Sequence, residues 1–203
     1  MGKLKTNSIM NKQLVFATNN EHKTEEVRSL LSGKYEVLNL KDIGCTTDIP
    51  ETADSFAGNA ALKSRFVADN FNLDCFADDS GLEVEFLDNQ PGIYSARYSG
   101  GKGDLANLQL VLQKMEGEQN RKARFRTVVS LLQEGKEFLF EGIVNGTIRE
   151  IPAGENGFGY DAIFEPEGYQ QTFAEMDMKQ KNEISHRAIA MRKLIAFLKE
   201  QAV

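Results

Sequence analysis

The sequence predicts an α/β fold, because segments typical of strands alternate with segments typical of helices. Residues 13–18 form a short β-rich run, a polar loop follows, and a helical pattern begins after the loop. Further along, residues 123–132 and 137–145 are typical of two long strands joined by a four-residue turn, an antiparallel hairpin. A chain of 203 residues suits one domain, or two small lobes that share a sheet.

The composition excludes several classes of protein. Apolar residues make up 41% of the chain and charged residues 27%, as expected for a soluble protein with a sizeable core. The net charge of −6 argues against a nucleic-acid partner, so a polyanionic ligand needs a local cluster of cations. The two cysteines give neither a disulfide framework nor zinc-site spacing, which favours the cytoplasm. No apolar run is long enough to span a membrane, so no membrane partner is expected.

Residues 1–12 are expected to be a flexible N-terminal extension, because the ordered pattern begins only near Gln13. They contain no apolar signal-peptide region, and we interpret their loose match to a myristoylation pattern as chance. Residues 13–203 are then predicted to form a single α/β domain.

The first polar loop lies between a strand and a helix. Such a loop directs backbone N–H groups and the positive end of the helix dipole at one point, and Lys23 adds a charge there. An ordinary helix N-terminus is an alternative, and the favoured one if the loop is taken alone, because glycines typical of phosphate loops are missing. The candidate ligand-binding residues are Thr18, Asn19, Asn20, Glu21, His22 and Lys23.

A second strand is predicted at 35–40, followed by a loop at 48–52 and a helix at 54–71. On a helical wheel, Asn59 and Lys63 fall on the apolar face or at its edge. Burying an unpaired lysine is costly, so either its stem reaches the surface or this face lines a cleft. We favour the cleft, in which Lys63 contacts a phosphate.

The next segment places two adjacent carboxylates, Asp78 and Asp79, after the apolar run 75–77. Residues 82–86 then alternate apolar and acidic side chains, so the aspartates are predicted to lie on a turn between two strands. Adjacent carboxylates repel each other unless a cation offsets the charge, and Mg²⁺ prefers oxygen ligands. A simple turn explains the same residues equally well.

The middle of the chain carries less chemistry. Residues 93–98 precede a glycine-rich loop at 99–103, and Asp104 is expected to cap a helix that Gly117 ends. The apolar spacing of that helix predicts a structural role.

A glycine-rich segment, 154–161, precedes a strand at 162–164. Glycines allow the backbone to approach a ligand closely, and Phe158 offers a flat face for a base. The alternative is a turn with Phe158 and Tyr160 in the core.

The last helix is predicted to begin at Ser185, a favourable N-cap. His186 and Arg187 then occupy its first turn, where the helix dipole disfavours cations. This placement suggests donors aimed at an electron-rich ligand.

Together these segments resemble the inosine triphosphate pyrophosphatases, from about Gln13 to the final helix. The departures are Asn19, where glycine is common, and Ala162, where proline is common. The resemblance is carried by Thr18-x-Asn20-x-x-Lys23, Phe76-Ala77-Asp78-Asp79-Ser80-Gly81-Leu82, Pro91-Gly92-x-Tyr94-Ser95-Ala96-Arg97-Tyr98, Gly157-Phe158-Gly159-Tyr160-Asp161 and Ser185-His186-Arg187.

The resemblance implies a long bent mixed sheet with flanking helices, in two lobes with an active-site cleft between them. It also implies a homodimer. The implied reaction is Mg²⁺-dependent hydrolysis of the non-standard purine nucleotides ITP, dITP and XTP to the nucleoside monophosphate and pyrophosphate.

The resemblance also implies roles for individual residues. Glu51 and Asp79 would hold the metal, and Asp79 would accept the proton of water with Asp78 supporting it. His186 and Arg187 would donate to the 6-keto oxygen of the base and so reject adenine. Lys23, Lys63, Lys181 and the backbone of 18–20 would bind the triphosphate, Phe158 would stack on the base, and further contacts would come from Glu21, His22, Ser80, Gly159, Tyr160 and Asp161.

Two other functions are open at this point. One is a regulatory protein that binds purine nucleotides without turnover, which the aspartate pair and Glu51 disfavour. The other is a nucleotide phosphatase that releases orthophosphate. The product of the reaction distinguishes all three.

Overall fold

The structure is a computed structural model that describes residues 12–32 and 35–201. The predicted extension at 1–12 lies outside the described residues, apart from Lys12, with which the first strand begins.

The described part of the chain contains seven strands and five α-helices. The strands are β1 (Lys12–Phe16), β2 (Tyr35–Leu38), β3 (Cys75–Val84), β4 (Gln90–Pro91), β5 (Lys122–Gln133), β6 (Lys136–Ile148) and β7 (Phe164–Pro166). The α-helices are α1 (Glu21–Leu31), α2 (Phe56–Phe71), α3 (Asp104–Lys114), α4 (Met178–Ile184) and α5 (His186–Glu200), and short 3₁₀ helices lie at Glu85–Leu87, Gly92–Arg97 and Asp161–Ile163.

The seven strands of the described residues belong to one mixed sheet, which confirms the predicted α/β class. Its order is β2-β1-β3-β5-β6-β7, with β4 paired to β3. β1 runs parallel to β2 and β3, whereas the other pairings are antiparallel. The predicted hairpin is the β5–β6 pair, whose register runs from Lys122↔Thr147 to Gln133↔Lys136.

The predicted turn at the two aspartates is wrong, because β3 continues through them. Asp78 pairs with Val129 and Asp79 with Val128 in an unbroken antiparallel ladder with β5. Ladder hydrogen bonds along the whole of β3 override the local turn preference of Asp-Asp-Ser-Gly, since strand formation depends mainly on tertiary context. The strand ends at Val84, so residues 85–87 form a 3₁₀ turn where the alternating pattern predicted more strand.

One edge of β3 is only partly covered. β1 pairs with it at two positions, Val15↔Cys75 and Phe16↔Phe76, and β4 pairs with its last two residues. Between these contacts, no strand of the described chain covers that edge. The gap places the middle of β3, with the aspartate pair, at the wall of a cleft.

The apolar core is divided into three clusters, two on opposite faces of the sheet around β1 and one at the other end of β3 and β5, and these two ends are the two lobes. One cluster packs α1 and α5 on the sheet around Phe76 and Leu131. A second cluster, at the other end of β3 and β5, contains Leu82 and Phe125 together with residues of α3. A third cluster packs α2 residues such as Val67 against the sheet. Among the described residues, no helix has both the length and the apolar character that a membrane crossing needs.

Candidate active site

A cavity of about 570 Å³ opens at the uncovered edge of β3. It is lined from both lobes: by the β1–α1 loop and the loop around Glu51, and by the 3₁₀ helix Gly92–Arg97 and the start of α5. The predicted site residues all line this cavity except Glu21, His22 and Asp78. The structure therefore brings together residues that the sequence distributes over some 170 positions, from Thr18 to Arg187.

The β1–α1 loop is shaped by its own side chains. Asn20 is the N-cap of α1 and accepts a hydrogen bond from the Lys23 backbone N–H, 3.1 Å away. The Thr18 hydroxyl accepts from the Asn20 N–H at 3.2 Å. This geometry directs the Lys23 side chain inward, where Nζ lies 2.9 Å from Asp78 Oδ1. Burial, the largest influence, lowers the pKa of Lys23.

Asp78 is buried and held by cations. Besides Lys23, the Arg187 Nε atom lies 3.1 Å from Asp78 Oδ2, and the Ser80 hydroxyl donates to the same oxygen at 2.7 Å. Burial alone would raise the pKa of Asp78, but the charges of Lys23 and Arg187 outweigh it and hold the pKa well below its usual range. Asp78 is therefore a buried carboxylate whose surroundings favour the ionised form.

Asp79 has a different environment. Its Oδ2 accepts a hydrogen bond from Asn59 Nδ2 at 2.9 Å, and its Oδ1 accepts from the Ser80 backbone N–H at 2.9 Å. Among the described residues, Asp79 makes no ion pair within 4.0 Å. Burial raises its pKa, although the charges of Lys63 and Lys23 oppose that effect. Two neighbouring carboxylates with pKa values shifted in opposite directions are the pattern from which acid–base roles are assigned.

Lys63 is buried, lines the cavity and is paired, so the premise of an unpaired charge on α2 is wrong. Its Nζ lies 2.7 Å from Glu51 Oε1. Arg97 contacts the other carboxylate oxygen at 3.2 Å and the Glu51 backbone carbonyl at 3.3 Å. Burial would raise the pKa of Glu51, but the charge of Lys63 outweighs it and the pKa is lowered.

Glu26 was missed by the sequence reasoning, yet it joins two predicted site residues. This buried carboxylate on α1 accepts from Lys181 Nζ at 2.6 Å and from the Arg187 guanidinium. Lys181 also contacts Asp161 Oδ2 at 2.7 Å. The one sequence signal was a glutamate next to Val27 on the buried side of α1.

The glycine-rich segment is held against the 3₁₀ helix Gly92–Arg97. Tyr160 is buried, as the core alternative predicted, and its hydroxyl donates to the Ser95 carbonyl at 2.8 Å. Phe158 is half-buried and its ring is stacked on that of His22, with 5.3 Å between the two centroids. Lys181 Nζ lies 5.1 Å from the centroid of the Phe158 ring. Gly157 has φ +77°, and a Cβ there would lie 2.1 Å from Asp161 Oδ2, so only glycine fits.

The predicted N-cap at Ser185 is confirmed, because its hydroxyl accepts from the Ala188 N–H at 3.2 Å. His186 follows it and is buried, with its ring stacked on that of Phe125 at 4.6 Å between centroids. Within the described part of the chain, its Nδ1 has no hydrogen-bond partner. Burial, reinforced by the charge of Arg187, lowers the pKa of His186 well below 6.5, so the ring is neutral. A neutral imidazole presents one donor and one acceptor.

Comparisons with known proteins agree with this geometry. A model of the Ham1 family matches residues 14–197. The dITP/XTP pyrophosphatase of Flavobacterium psychrophilum is 50% identical over 188 residues, which cover 92% of this chain and 99% of the relative. The dITP/XTP pyrophosphatase of Porphyromonas gingivalis is also 50% identical over 188 residues, covering 92% and 97%.

Solved structures show the same fold. The Ham1 protein of Staphylococcus aureus has a TM-score of 0.84 and 40% identity, over 94% of this chain and all of that one. A HAM1 protein from Coxiella burnetii has a TM-score of 0.85 and 35% identity, covering 93% of this chain and 99% of that one.

Proposed function

Because the chain belongs to the Ham1 family, we propose that it is a pyrophosphatase of non-standard purine nucleoside triphosphates. Its substrates would be ITP, dITP and XTP, and its products the nucleoside monophosphate and pyrophosphate. Relatives named dITP/XTP pyrophosphatase, at 50% identity over most of the chain, support the substrate class. The observation that carries the chemistry is the pair Asp78 and Asp79, which share one strand but have oppositely shifted pKa values at a cation-rich cleft.

The donor set fits Mg²⁺. Within residues 12–32 and 35–201, no group of three or more His, Cys, Asp or Glu side chains is arranged to hold a metal. Glu51 and Asp79 both line the cleft, and one or two carboxylates completed by substrate phosphates are the usual magnesium arrangement. When bound, Mg²⁺ offsets phosphate charge and makes water more acidic.

The chain's own residues then supply the proton transfer. Asp79, whose pKa is raised, accepts a proton from the water whose oxygen attacks the α-phosphorus. The bond from the α-phosphorus to the bridging oxygen breaks, and pyrophosphate carries away that oxygen and its electron pair. Asp78 takes no part in the proton transfer, because its lowered pKa makes it a weak base and Lys23 and Arg187 bind its two oxygens.

The triphosphate would be bound by Lys23, Lys63 and the backbone of residues 18–20, which line one wall of the cleft. Such fixed cations stabilise charge that develops during phosphoryl transfer. Lys181 donates to Glu26 and Asp161, so we assign it to holding the segment that carries Phe158.

The base would lie against Phe158, with His186 donating to its 6-keto oxygen. Arg187 donates to Asp78, Glu26 and Ser80, so its predicted contact with the base stays a prediction. We also propose a homodimer, on the resemblance, and a cytoplasmic location, which suits the free thiols of Cys45 and Cys75.

A substrate panel tests this function. The purified chain is incubated with ITP, dITP, XTP, ATP and GTP, with Mg²⁺ or with EDTA, and pyrophosphate and orthophosphate are both quantified. We expect Mg²⁺-dependent pyrophosphate release from the first three nucleotides. Orthophosphate release would instead identify a phosphatase, and binding without either product would identify a regulatory protein.

A further inference from the structure

We propose that Asn59 is a positioning residue for Asp79, which orients the Asp79 carboxylate and sets its spacing from the segment that carries Glu51. The proposal rests on the proposed function, in which Asp79 accepts a proton and Glu51 binds metal. Asn59 lies in the first turn of α2 and has no solvent-exposed surface.

The orientation of the Asn59 amide is determined by the backbone. Its Oδ1 accepts a hydrogen bond from the Ala53 N–H, 2.9 Å away. A backbone N–H only donates, so the amide oxygen must face Ala53. The amide nitrogen therefore faces Asp79, where Nδ2 donates to Oδ2 at 2.9 Å.

This bond holds the Asp79 carboxylate from one side while the chain holds it from the other. Oδ1 accepts from the Ser80 N–H at 2.9 Å, so rotation of the carboxylate would break both hydrogen bonds. The other lone pairs of the Asp79 carboxylate remain available to bind a group in the cleft, which Asp79 lines. A neutral amide achieves this without the ion pair that would compete with a metal for the carboxylate.

The same amide ties Asp79 to the loop before α2. Ala53 is two residues from Glu51, and the loop passes so close to the helix that a Cβ at Gly58 would lie 2.6 Å from Ala53 Cβ. Glu51 is held in turn by Lys63 and Arg97. Asn59 is thus a buried spacer between the two carboxylates that we assign to the metal.

Two substitutions separate the functions of this amide. Asn59→Asp keeps the shape and the acceptor for Ala53 but replaces the amide donor with a carboxyl group that repels an ionised Asp79, whereas Asn59→Ala removes both polar groups. We expect both variants to lose about tenfold to a hundredfold in kcat, with KM close to that of the wild type. This is the loss typical of residues that orient a metal ligand without touching the metal. If Asn59 only supported the loop, Asn59→Asp would keep its turnover and Asn59→Ala would raise KM.

Asn107→Asp is the matched control. Asn107 is also buried, accepts from the Ser99 N–H at 2.7 Å and donates to the Ala96 carbonyl at 3.1 Å, but it does not contact Asp79. Its substitution should lower thermal stability with less than a tenfold change in kcat.

Wild-type kcat for ITP is measured first, and variant kcat values are corrected for the folded fraction by thermal unfolding. With an active wild type, a near-wild-type kcat in Asn59→Asp overturns the positioning role alone. Should that variant not fold, a near-wild-type kcat in Asn59→Ala overturns it, and a lower kcat at constant KM supports it. A wild type that releases no pyrophosphate would overturn the proposed function together with this role.

Discussion

Asp78 and Asp79 are neighbours in β3, but their carboxylates bond to helices on opposite sides of the sheet. Asp78 contacts Lys23 of α1 and Arg187 of α5, whereas Asp79 contacts Asn59 of α2. Successive residues of a strand point to opposite faces, so the continuous strand itself separates the two carboxylates. One becomes a buried counter-charge and the other faces the cleft.

Substitution of the two aspartates should therefore give different results. Asp79→Asn keeps the shape but removes the proposed proton acceptor, so kcat should fall by at least about a hundredfold with the fold intact. Asp78→Asn leaves Lys23 and Arg187 short of a counter-charge and should destabilise the fold by about 3–5 kcal/mol, as for a broken buried pair. Pyrophosphate release and thermal unfolding of both variants check this. Near-wild-type turnover in Asp79→Asn would show that another group accepts the proton.

Lys63→Met should lower the free energy of unfolding, whereas removal of an unpaired buried lysine would raise it. The substitution leaves Glu51 with Arg97 alone, and because Glu51 is partly exposed we expect a loss of about 1–2 kcal/mol, below that of a fully buried pair. Arg65→Met, on the same helix, breaks an exposed pair with Glu137 and should cost less than about 1 kcal/mol. Denaturant unfolding of both measures the difference, and equal losses would contradict a special role for the Lys63 pair.

His186→Phe tests how the base is chosen. Phenylalanine keeps the stacking on Phe125 but removes the ring nitrogens. A hydrogen bond from a neutral group contributes about 0.5–1.5 kcal/mol, so kcat/KM for ITP should fall roughly twofold to tenfold while that for ATP changes little. Equal losses of kcat/KM for both nucleotides would show that His186 does not distinguish the two bases. Arg187→Ala is a poorer probe, since it also removes a cation that binds the buried carboxylates of Glu26 and Asp78.

The lowered pKa of His186 also predicts that the free energy of unfolding depends on pH. Its folded pKa is depressed, so as pH falls below about 6.5 the unfolded chain takes up a proton that the folded chain does not. The free energy of unfolding should then fall by up to about 1.4 kcal/mol per pH unit until the folded pKa is reached. His186→Phe should remove this slope, whereas the exposed His22→Gln should keep it. Asp79 and Asp161, whose raised pKa values act in the opposite direction, are present in all three chains, so differences between their unfolding curves isolate His186.

The sequence predicted well what depends on local pattern. The helix cap at Ser185, the long hairpin and the apolar face of α2 follow from residue preference and periodicity, and the structure confirms them. The predicted cap at Asp104 is wrong, because Gly103 is the N-cap of α3 and Asp104 is the first residue of the helix. The turn at Asp78 was wrong because ladder pairing with β5, some fifty residues away, decides that segment.

The ion-pair partners of the charged residues could not be predicted from the sequence for a similar reason. That Lys63 meets Glu51, or that Glu26 meets Lys181, depends on how helices are placed on the sheet. No spacing in the chain encodes those distances. The residues of the cleft were therefore found more readily than the network that holds them.

The network around Glu26 determines when the molecule is complete. Its two basic partners are separated from it by 155 and 161 positions, so the ribosome adds both of them long after α1. Translation adds about 5–20 residues per second, so β1, α1 and β3 leave the ribosome several seconds before α5. During that interval the face of the sheet that α5 covers is open to chaperones. Under the proposed function, turnover requires α5, so we expect a chain that stops before His186 to be inactive.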